Sequence, residues 1–195
     1  MAIATNIFVG VALCYVATVC YLALGDLEGL KGVQLNSIFD REVLEDAMAK
    51  NAVCNDGTPA VYYSKINPES TEWLFFLEGG ADCYNEKSCK DRYDTMYMWL
   101  MTGSLDYNPP TYERSGFLSS DCEQNPVFCK TNRIALRYCS SDQWAGDQGA
   151  DPNSKLPLHF RGKNIVTEVI KQVVGKYKHI KKATRITLTG NSAGG

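Results

Sequence analysis

Histidine is scarce in this sequence, and no CxxC pair occurs in it. The 195 residues contain two histidines, His159 and His179, and both lie downstream of all eight cysteines. The ligand spacing of a zinc site is therefore missing, and we expect neither a metal nor a cofactor. Charge of one sign is not in excess either, because the net charge is -2 and the lysines and arginines form no long run. This balance gives no reason to expect nucleic acid as a partner.

Internal repeats, low-complexity segments and N-x-S/T glycosylation acceptors are also absent from the sequence. Hydrophobic residues make up 45% of the chain and aromatic residues 11%, which is the composition of a packed domain. The length fits one domain of ordinary size.

One long apolar run stands near the amino end, at residues 7–24, and carries no charge. Ala23 and Gly25 place small residues at the -3 and -1 positions of a cleavage site before Asp26. The pattern predicts a secretory signal peptide at residues 1–25, followed by a single domain at 26–195. A cleaved chain would be secreted and extracellular, without stable membrane insertion. The alternative is a signal anchor, since no Lys or Arg precedes the run and its length reaches the lower limit of a transmembrane span.

Six cysteines remain once the signal segment is removed. An even number of cysteines in an exported chain predicts disulfides. Six cysteines allow 15 pairings, and the sequence by itself selects none of them. They are Cys54, Cys83, Cys89, Cys122, Cys129 and Cys139.

The hydrophobic pattern predicts strands that alternate with helices, hence an α/β fold. Strands are predicted at 58–66, 73–78, 133–138 and 185–189, and helices at 40–50, 89–101 and 161–177. The segment 102–132 is predicted to be a long irregular loop, stapled by its two cysteines. The order strand, helix, strand at the carboxyl end predicts parallel pairing by a right-handed crossover.

The last predicted strand leads into Gly190-Asn191-Ser192-Ala193-Gly194, which fits the pattern G-x-S-x-G. This pattern is typical of the turn that holds a nucleophilic serine at the tip of a sheet strand. The chain reverses sharply there, so the positions two before and two after Ser192 need very small side chains. A glycine-rich turn with a purely structural role is the alternative. A phosphate-binding turn is disfavoured because no GKS/T lysine follows.

A second glycine-rich turn, Gly79-Gly80-Ala81, follows the predicted buried strand at 73–78. An acyl-transfer serine needs backbone N–H donors for the developing oxyanion, and such a turn lets the backbone approach a substrate closely. A simple tight turn is the alternative interpretation of these glycines.

Five blocks of sequence, in order, resemble the pectin acetylesterase and Notum family of secreted serine esterases. The resemblance runs from about Cys54 to the last residue. The blocks are "WLFFLEGGADCYNEKSC" at 73–89, "SGFLSSDCEQNP" at 115–126, "NRIALRYCSSDQWAGD" at 132–147, "LHFRG" at 158–162 and "GNSAGG" at 190–195.

The resemblance implies an α/β-hydrolase fold, with a mostly parallel sheet and flanking helices, truncated after the nucleophile turn. It implies Ser192 as the catalytic nucleophile and the N–H groups of Gly80, Ala81 and Ala193 as oxyanion donors. It also implies the disulfides Cys54–Cys139 and Cys83–Cys89, which leaves Cys122 and Cys129 to pair. The expected activity is that of a carboxylesterase acting on an acylated polysaccharide or an acylated protein.

The sequence departs from the family after the two glycines, where it has Ala81 and Asp82. A charged residue beside the acyl site disfavours a fatty chain because of its desolvation cost, so a small acyl group is favoured. The catalytic Asp and His of this fold follow the serine in the chain, so we expect them beyond Gly195 and expect residues 1–195 alone to be inactive. The alternative is a non-catalytic member that binds a glycan or lipidated ligand.

Overall fold

The structure is a computed structural model that describes residues 37–95 and 98–195. The predicted signal segment at residues 1–25 lies outside the described residues, as do Met96 and Tyr97 of the predicted helix at 89–101. In the described part of the chain, no helix is both long and apolar enough to cross a bilayer.

In the part of the chain that the structure describes, six strands form one sheet, which is flanked by two helices. The strand order is β4-β1-β2-β5-β3-β6. The strands are β1 (Ser37–Val43), β2 (Val61–Lys65), β3 (Glu72–Leu77), β4 (Thr111–Arg114), β5 (Asn132–Leu136) and β6 (Arg185–Gly190), and the helices are α1 (Glu86–Tyr93) and α2 (Gly162–Lys176).

The α/β class is confirmed, but the sheet is mixed rather than mostly parallel. Strand β3 runs parallel to β5 and β6, whereas β1 pairs antiparallel with β2 and β4, and β2 pairs antiparallel with β5. The difference arises because β1 and β4 had not been predicted as strands. Both of these strands pair antiparallel, whereas long crossover connections join β3, β5 and β6, and the one between β5 and β6 contains α2.

The parallel half of the sheet sets the position of the turns that follow its strands. Leu77, the last residue of β3, lies opposite Leu136 of β5 and Gly190 of β6. Because the three strands end at the same level, the segments after them meet at one edge of the sheet, where ligands of α/β proteins bind.

Helix α2 covers one face of the sheet with the apolar stripe that the sequence predicts. Ile165, Val169 and Val173 are fully buried and pack with Trp73, Phe75 and other sheet residues. The opposite face has a smaller core of Phe39, Val61, Tyr63, Leu74, Leu118 and Ala135. The predicted helix at 161–177 is therefore confirmed to within one residue at each end.

The helix predicted at residues 40–50 is wrong. Residues up to Val43 belong to β1, and turns occupy 45–50. At the start of β1, exposure alternates along the strand, with Ser37 and Phe39 buried and Ile38 and Asp40 exposed. This period of two indicates a strand, and pairing on both sides overrides the local helix propensity.

The helix predicted at 89–101 begins and ends earlier in the structure. Asn85 caps α1 by accepting the Ser88 N–H at 2.8 Å, and the Ser88 hydroxyl accepts the Asn85 N–H at 3.1 Å, which is a capping box. The helix ends at Tyr93, and residues 98–100 form a short 3-10 turn. The predicted loop at 102–132 contains strand β4 and a 3-10 turn.

Three disulfides join cysteines of the described residues, and their pairings are those that the family resemblance implies. Cys54–Cys139 joins residues 85 positions apart, while Cys83–Cys89 and Cys122–Cys129 close loops of 6 and 7 positions. The first bond ties the segment before β2 to the end of β5.

Candidate active site

Ser192 stands at the sharp turn between β6 and a 3-10 helix, Ser192–Gly194. Its φ is +51°, in the left-handed region that an L residue occupies only at a cost of about 1–3 kcal/mol. Its side chain is exposed at the edge of the sheet. A strained strand-to-helix turn with an exposed serine is the geometry of a nucleophile elbow.

The glycines on either side of Ser192 are needed because the turn folds back on itself and on β3. A Cβ at Gly190 would overlap the carbonyl oxygen of Gly194, and a Cβ at Gly194 would overlap the carbonyl oxygen of Leu77. The elbow therefore packs against the end of β3 at a distance that only glycine permits.

The turn after β3 touches the elbow directly. A Cβ at Gly79 would lie 2.6 Å from the carbonyl oxygen of Asn191 and 2.7 Å from the Cβ of Ser192. The Gly79 N–H donates a hydrogen bond to Asn191 Oδ1 at 2.9 Å. The two glycine-bearing turns that the sequence singles out therefore converge on the same point.

Three backbone N–H groups near Ser192 are available to a ligand. Within the described residues, the N–H groups of Gly80, Ala81 and Ala193 have no hydrogen-bond partner. Ala81 has a φ of +57°, so the backbone turns abruptly after the second glycine. Free N–H donors beside an exposed serine are what an oxyanion site requires.

The segment after β5 holds the Gly79–Ala81 turn through hydrogen bonds to its flanking residues and through a ring contact. The Trp144 indole N–H donates to the Glu78 carbonyl oxygen at 3.0 Å, and the Cys83 N–H donates to the Ser141 carbonyl oxygen at 3.2 Å. A Cβ at Gly80 would lie 2.5 Å from the Tyr138 ring, so that ring packs directly against the turn.

Tyr138 itself is buried, and burial raises the pKa of its hydroxyl to about 12. The neutral hydroxyl accepts the Gln143 N–H at 2.8 Å. Ser141, Gln143 and Trp144 all have positive φ values between 52° and 63°. Left-handed residues persist only where surrounding contacts fix them, and here those contacts include the bonds to Asn55, Tyr138 and the Glu78 carbonyl oxygen.

A buried charge network lies next to the site, and sequence reasoning did not find it. The Glu78 carboxylate pairs with Arg114 and with Arg137, the latter at 3.0 Å, and all three side chains are largely buried. Together with Gly79 and Asn191 they line a cleft of about 480 Å³. The sequence feature that could have indicated this network is Glu78 itself, a charged residue at the end of the apolar run 73–78.

Neither histidine lies at the elbow. The His179 ring packs against Trp73 in a tilted arrangement with centroids 5.0 Å apart, and its Nε2 lies 3.3 Å from Asn132 Oδ1. Trp73 and Asn132 stand at the amino ends of their strands, opposite the end that carries Ser192. His159 bonds through its backbone to Asn55, and among the described residues no imidazole hydrogen-bonds to the Ser192 hydroxyl.

Metal ligands do not cluster either: in 37–95 and 98–195 no three His, Cys, Asp or Glu side chains are placed to hold an ion. The elbow and the Gly79–Ala81 turn provide two of the parts that acyl transfer by a serine needs, a hydroxyl group and backbone N–H donors.

The family model for pectinacetylesterase matches residues 34–195, and this match includes both converging turns. The chain belongs to the pectinacetylesterase family. Proteins of this family have the α/β-hydrolase fold, which agrees with the sheet, the helices and the elbow described above.

Curated relatives of this chain are named palmitoleoyl-protein carboxylesterase NOTUM. The human protein is 40% identical over 145 residues, which is 74% of this chain and 28% of that protein. The Schmidtea mediterranea protein is 35% identical over 147 residues, 74% of this chain and 27% of that protein. A Danio rerio relative, "Inactive palmitoleoyl-protein carboxylesterase notum1b", is 42% identical over 96 residues, 49% of this chain and 67% of that protein. The chain thus spans under a third of the length of the first two.

Proposed function

We propose that this chain carries the nucleophile and the oxyanion site of a secreted serine carboxylesterase that removes an O-linked acyl group. The observation that supports the proposal most directly is the convergence of the two turns. Ser192 is exposed and strained at the tip of β6, and the Gly79–Ala81 turn lies in contact with it.

In the proposed reaction, the Ser192 hydroxyl oxygen attacks the ester carbonyl carbon while a base takes the hydroxyl proton. The carbonyl oxygen becomes negative and accepts hydrogen bonds from the N–H groups of Gly80, Ala81 and Ala193. The carbon–oxygen bond to the alcohol then breaks, and the base returns its proton to that alcohol. Water attacks the resulting acyl-serine in the same way and releases the acid.

The base and its orienting carboxylate are proposed to be a histidine and an aspartate that follow Gly195 in the full-length protein. The basis is the chain order of α/β-hydrolases, in which the acid and the histidine come after the serine. His179 lies at the opposite end of the sheet and His159 has no bond to Ser192, so neither serves as the base.

The proposed substrate is an acylated polysaccharide or an acylated protein, and we favour a short acyl group. Asp82 follows Ala81 on the oxyanion turn, is exposed, and accepts a hydrogen bond from Gln143 Nε2 at 2.5 Å. A carboxylate on the rim of the site makes burial of a long apolar chain costly. The relatives' names, by contrast, refer to a palmitoleoyl group on protein.

Secretion is part of the same proposal. Three disulfides in one chain are typical of an oxidising compartment, and the apolar run at 7–24 is typical of a signal peptide.

The test is ester hydrolysis by the full-length protein with p-nitrophenyl acetate and p-nitrophenyl palmitate. We expect the wild type to prefer the acetate and Ser192→Ala to lose several orders of magnitude in kcat, because the nucleophile is gone. Ser70→Ala is the matched control, since Ser70 lies in the turn at the amino end of β3 and its loss should leave the rate unchanged.

The alternative is a non-catalytic member that binds a glycan or lipidated ligand, and the relative named as inactive gives it a precedent. If wild type and Ser192→Ala hydrolyse both esters at the same rate, the esterase proposal is wrong.

A further inference from the structure

Asn191 lies between the two turns of the proposed site and is tied to both. Its N–H donates to the Leu77 carbonyl oxygen at 3.2 Å, and its own carbonyl oxygen accepts the Gly194 N–H at 2.9 Å. These two bonds attach the elbow to the end of β3. Its side chain, which the backbone of the elbow does not need, reaches across to the Gly79 N–H.

The bond to Gly79 fixes one end of a peptide unit whose other end is also held. The Glu78–Gly79 peptide presents its carbonyl oxygen to the Trp144 indole N–H at 3.0 Å and its N–H to Asn191 Oδ1 at 2.9 Å. A peptide plane bonded at both ends cannot rotate without breaking two hydrogen bonds. With one end released, one hydrogen bond fewer opposes rotation of the plane, and Gly79 has no Cβ to restrict its own dihedral angles.

The orientation of this peptide determines where the next N–H groups point. Gly80 and Ala81 follow directly, and their N–H groups have no hydrogen-bond partner among the described residues. Rotation of the Glu78–Gly79 plane would re-aim both donors, and oxyanion donors act only at about 2.7–3.1 Å from the oxygen.

We propose that Asn191 is a positioning residue that, together with Trp144, holds the Glu78–Gly79 peptide so that the oxyanion donors are aimed at the ester attacked by Ser192. The side chain thereby links the nucleophile turn to the oxyanion turn across 112 positions of sequence. This inference rests on the proposed esterase function.

The test is the kinetics of Asn191→Leu in the full-length protein, since leucine has a similar volume and cannot accept the bond. We expect kcat for p-nitrophenyl acetate to fall about 10- to 100-fold, as for a misaligned oxyanion donor, with KM changed less than about twofold. Asn164→Leu is the matched control. The Asn164 side chain is also hydrogen-bonded, as a donor to the Asn51 carbonyl oxygen and to Asp147, but it lies at the start of α2. We therefore expect the kcat of this variant to stay at the wild-type value.

Trp144→Phe releases the same peptide from its other end and serves as the second variant. We expect a loss in kcat of the same order. In the double variant Asn191→Leu/Trp144→Phe, we expect the fold reduction in kcat to be smaller than the product of the two single reductions, because both bonds hold the same peptide. A boronic acid that forms a tetrahedral adduct with Ser192 should bind more weakly to each variant by the same factor as the loss in kcat/KM.

The outcomes separate this inference from the function on which it rests. If Ser192→Ala is inactive but Asn191→Leu keeps the wild-type kcat and boronate affinity, the positioning role is wrong and the esterase stands. If Ser192→Ala is as active as the wild type, the proposed function itself is wrong. If Asn191→Leu does not fold, which a melting curve reports, Trp144→Phe with normal kcat overturns the inference.

Discussion

At the scale of single residues, the elbow shows which features a local motif can predict. The need for glycine at 190 and 194 follows from the sharp reversal that G-x-S-x-G encodes, and the structure gives the atoms that a Cβ would meet. The bond from Gly79 to Asn191 could not be predicted, because no local pattern relates residues 112 positions apart. The charge at Glu78 was visible in the sequence, but its partners Arg114 and Arg137 were not.

Gly194→Ala is expected to disrupt the elbow because its Cβ would overlap the carbonyl oxygen of Leu77, which is backbone and cannot move aside. We expect a lower melting temperature and loss of ester hydrolysis in the full-length protein. Gly175→Ala is the control. A Cβ there meets nothing within 4 Å, and alanine in place of a helical glycine stabilises by about 0.5–1 kcal/mol. Equal melting temperatures for the two variants would show that the turn tolerates a side chain.

At the scale of elements, the predicted helices and strands are correct where a run or stripe of apolar residues determines the structure. They are wrong where pairing with a distant strand determines it. The runs at 73–78 and 133–138 form β3 and β5, and the stripe at 161–177 forms α2. Strands β1 and β4 are polar and partly exposed, and they are strands because each pairs with a neighbour. A single sequence contains no information about such a neighbour.

The network around Glu78 joins the ends of β3, β4 and β5, and its strength can be measured. Glu78→Gln leaves two guanidinium groups, on Arg114 and Arg137, without a counter-charge in a largely buried site. Removing one partner of a buried ion pair costs about 3–5 kcal/mol, so we expect chemical denaturation to report a loss of that order.

The control for this measurement is Asp91→Asn, which breaks the ion pair with Lys87 on the exposed face of α1. Those side chains are 82% and 60% exposed, and an exposed pair contributes little. A loss of stability in Glu78→Gln no larger than in Asp91→Asn would contradict the structural role of the network.

At the scale of the whole molecule, the antiparallel and parallel halves of the sheet are joined where the site is built. Cys54 precedes β2, and its disulfide partner Cys139 follows β5. Asn55, the residue after Cys54, donates its side-chain amide to the Ser140 carbonyl oxygen at 2.9 Å and its backbone N–H to the Cys139 carbonyl oxygen at 2.9 Å. The same segment, through Ser141 and Trp144, hydrogen-bonds to the residues that flank the Gly79–Ala81 turn. Stability of the sheet and geometry of the site therefore depend on one region.

The two kinds of disulfide should contribute differently because they close loops of different length. Cys54–Cys139 spans 85 positions, and loop-closure entropy gives it about 4–5 kcal/mol. Cys122–Cys129 spans 7 positions and is worth roughly 2 kcal/mol on the same basis. We expect the free energy of unfolding of the full-length protein to fall about twice as far in Cys54→Ala/Cys139→Ala as in Cys122→Ala/Cys129→Ala, measured by denaturation without reductant.

Because Cys139 adjoins the segment that carries Trp144, the first variant should also lose esterase activity at temperatures where it is still folded, and the second should not. Equal losses of stability in the two variants would mean that local packing, and not the length of the closed loop, determines what these bonds contribute.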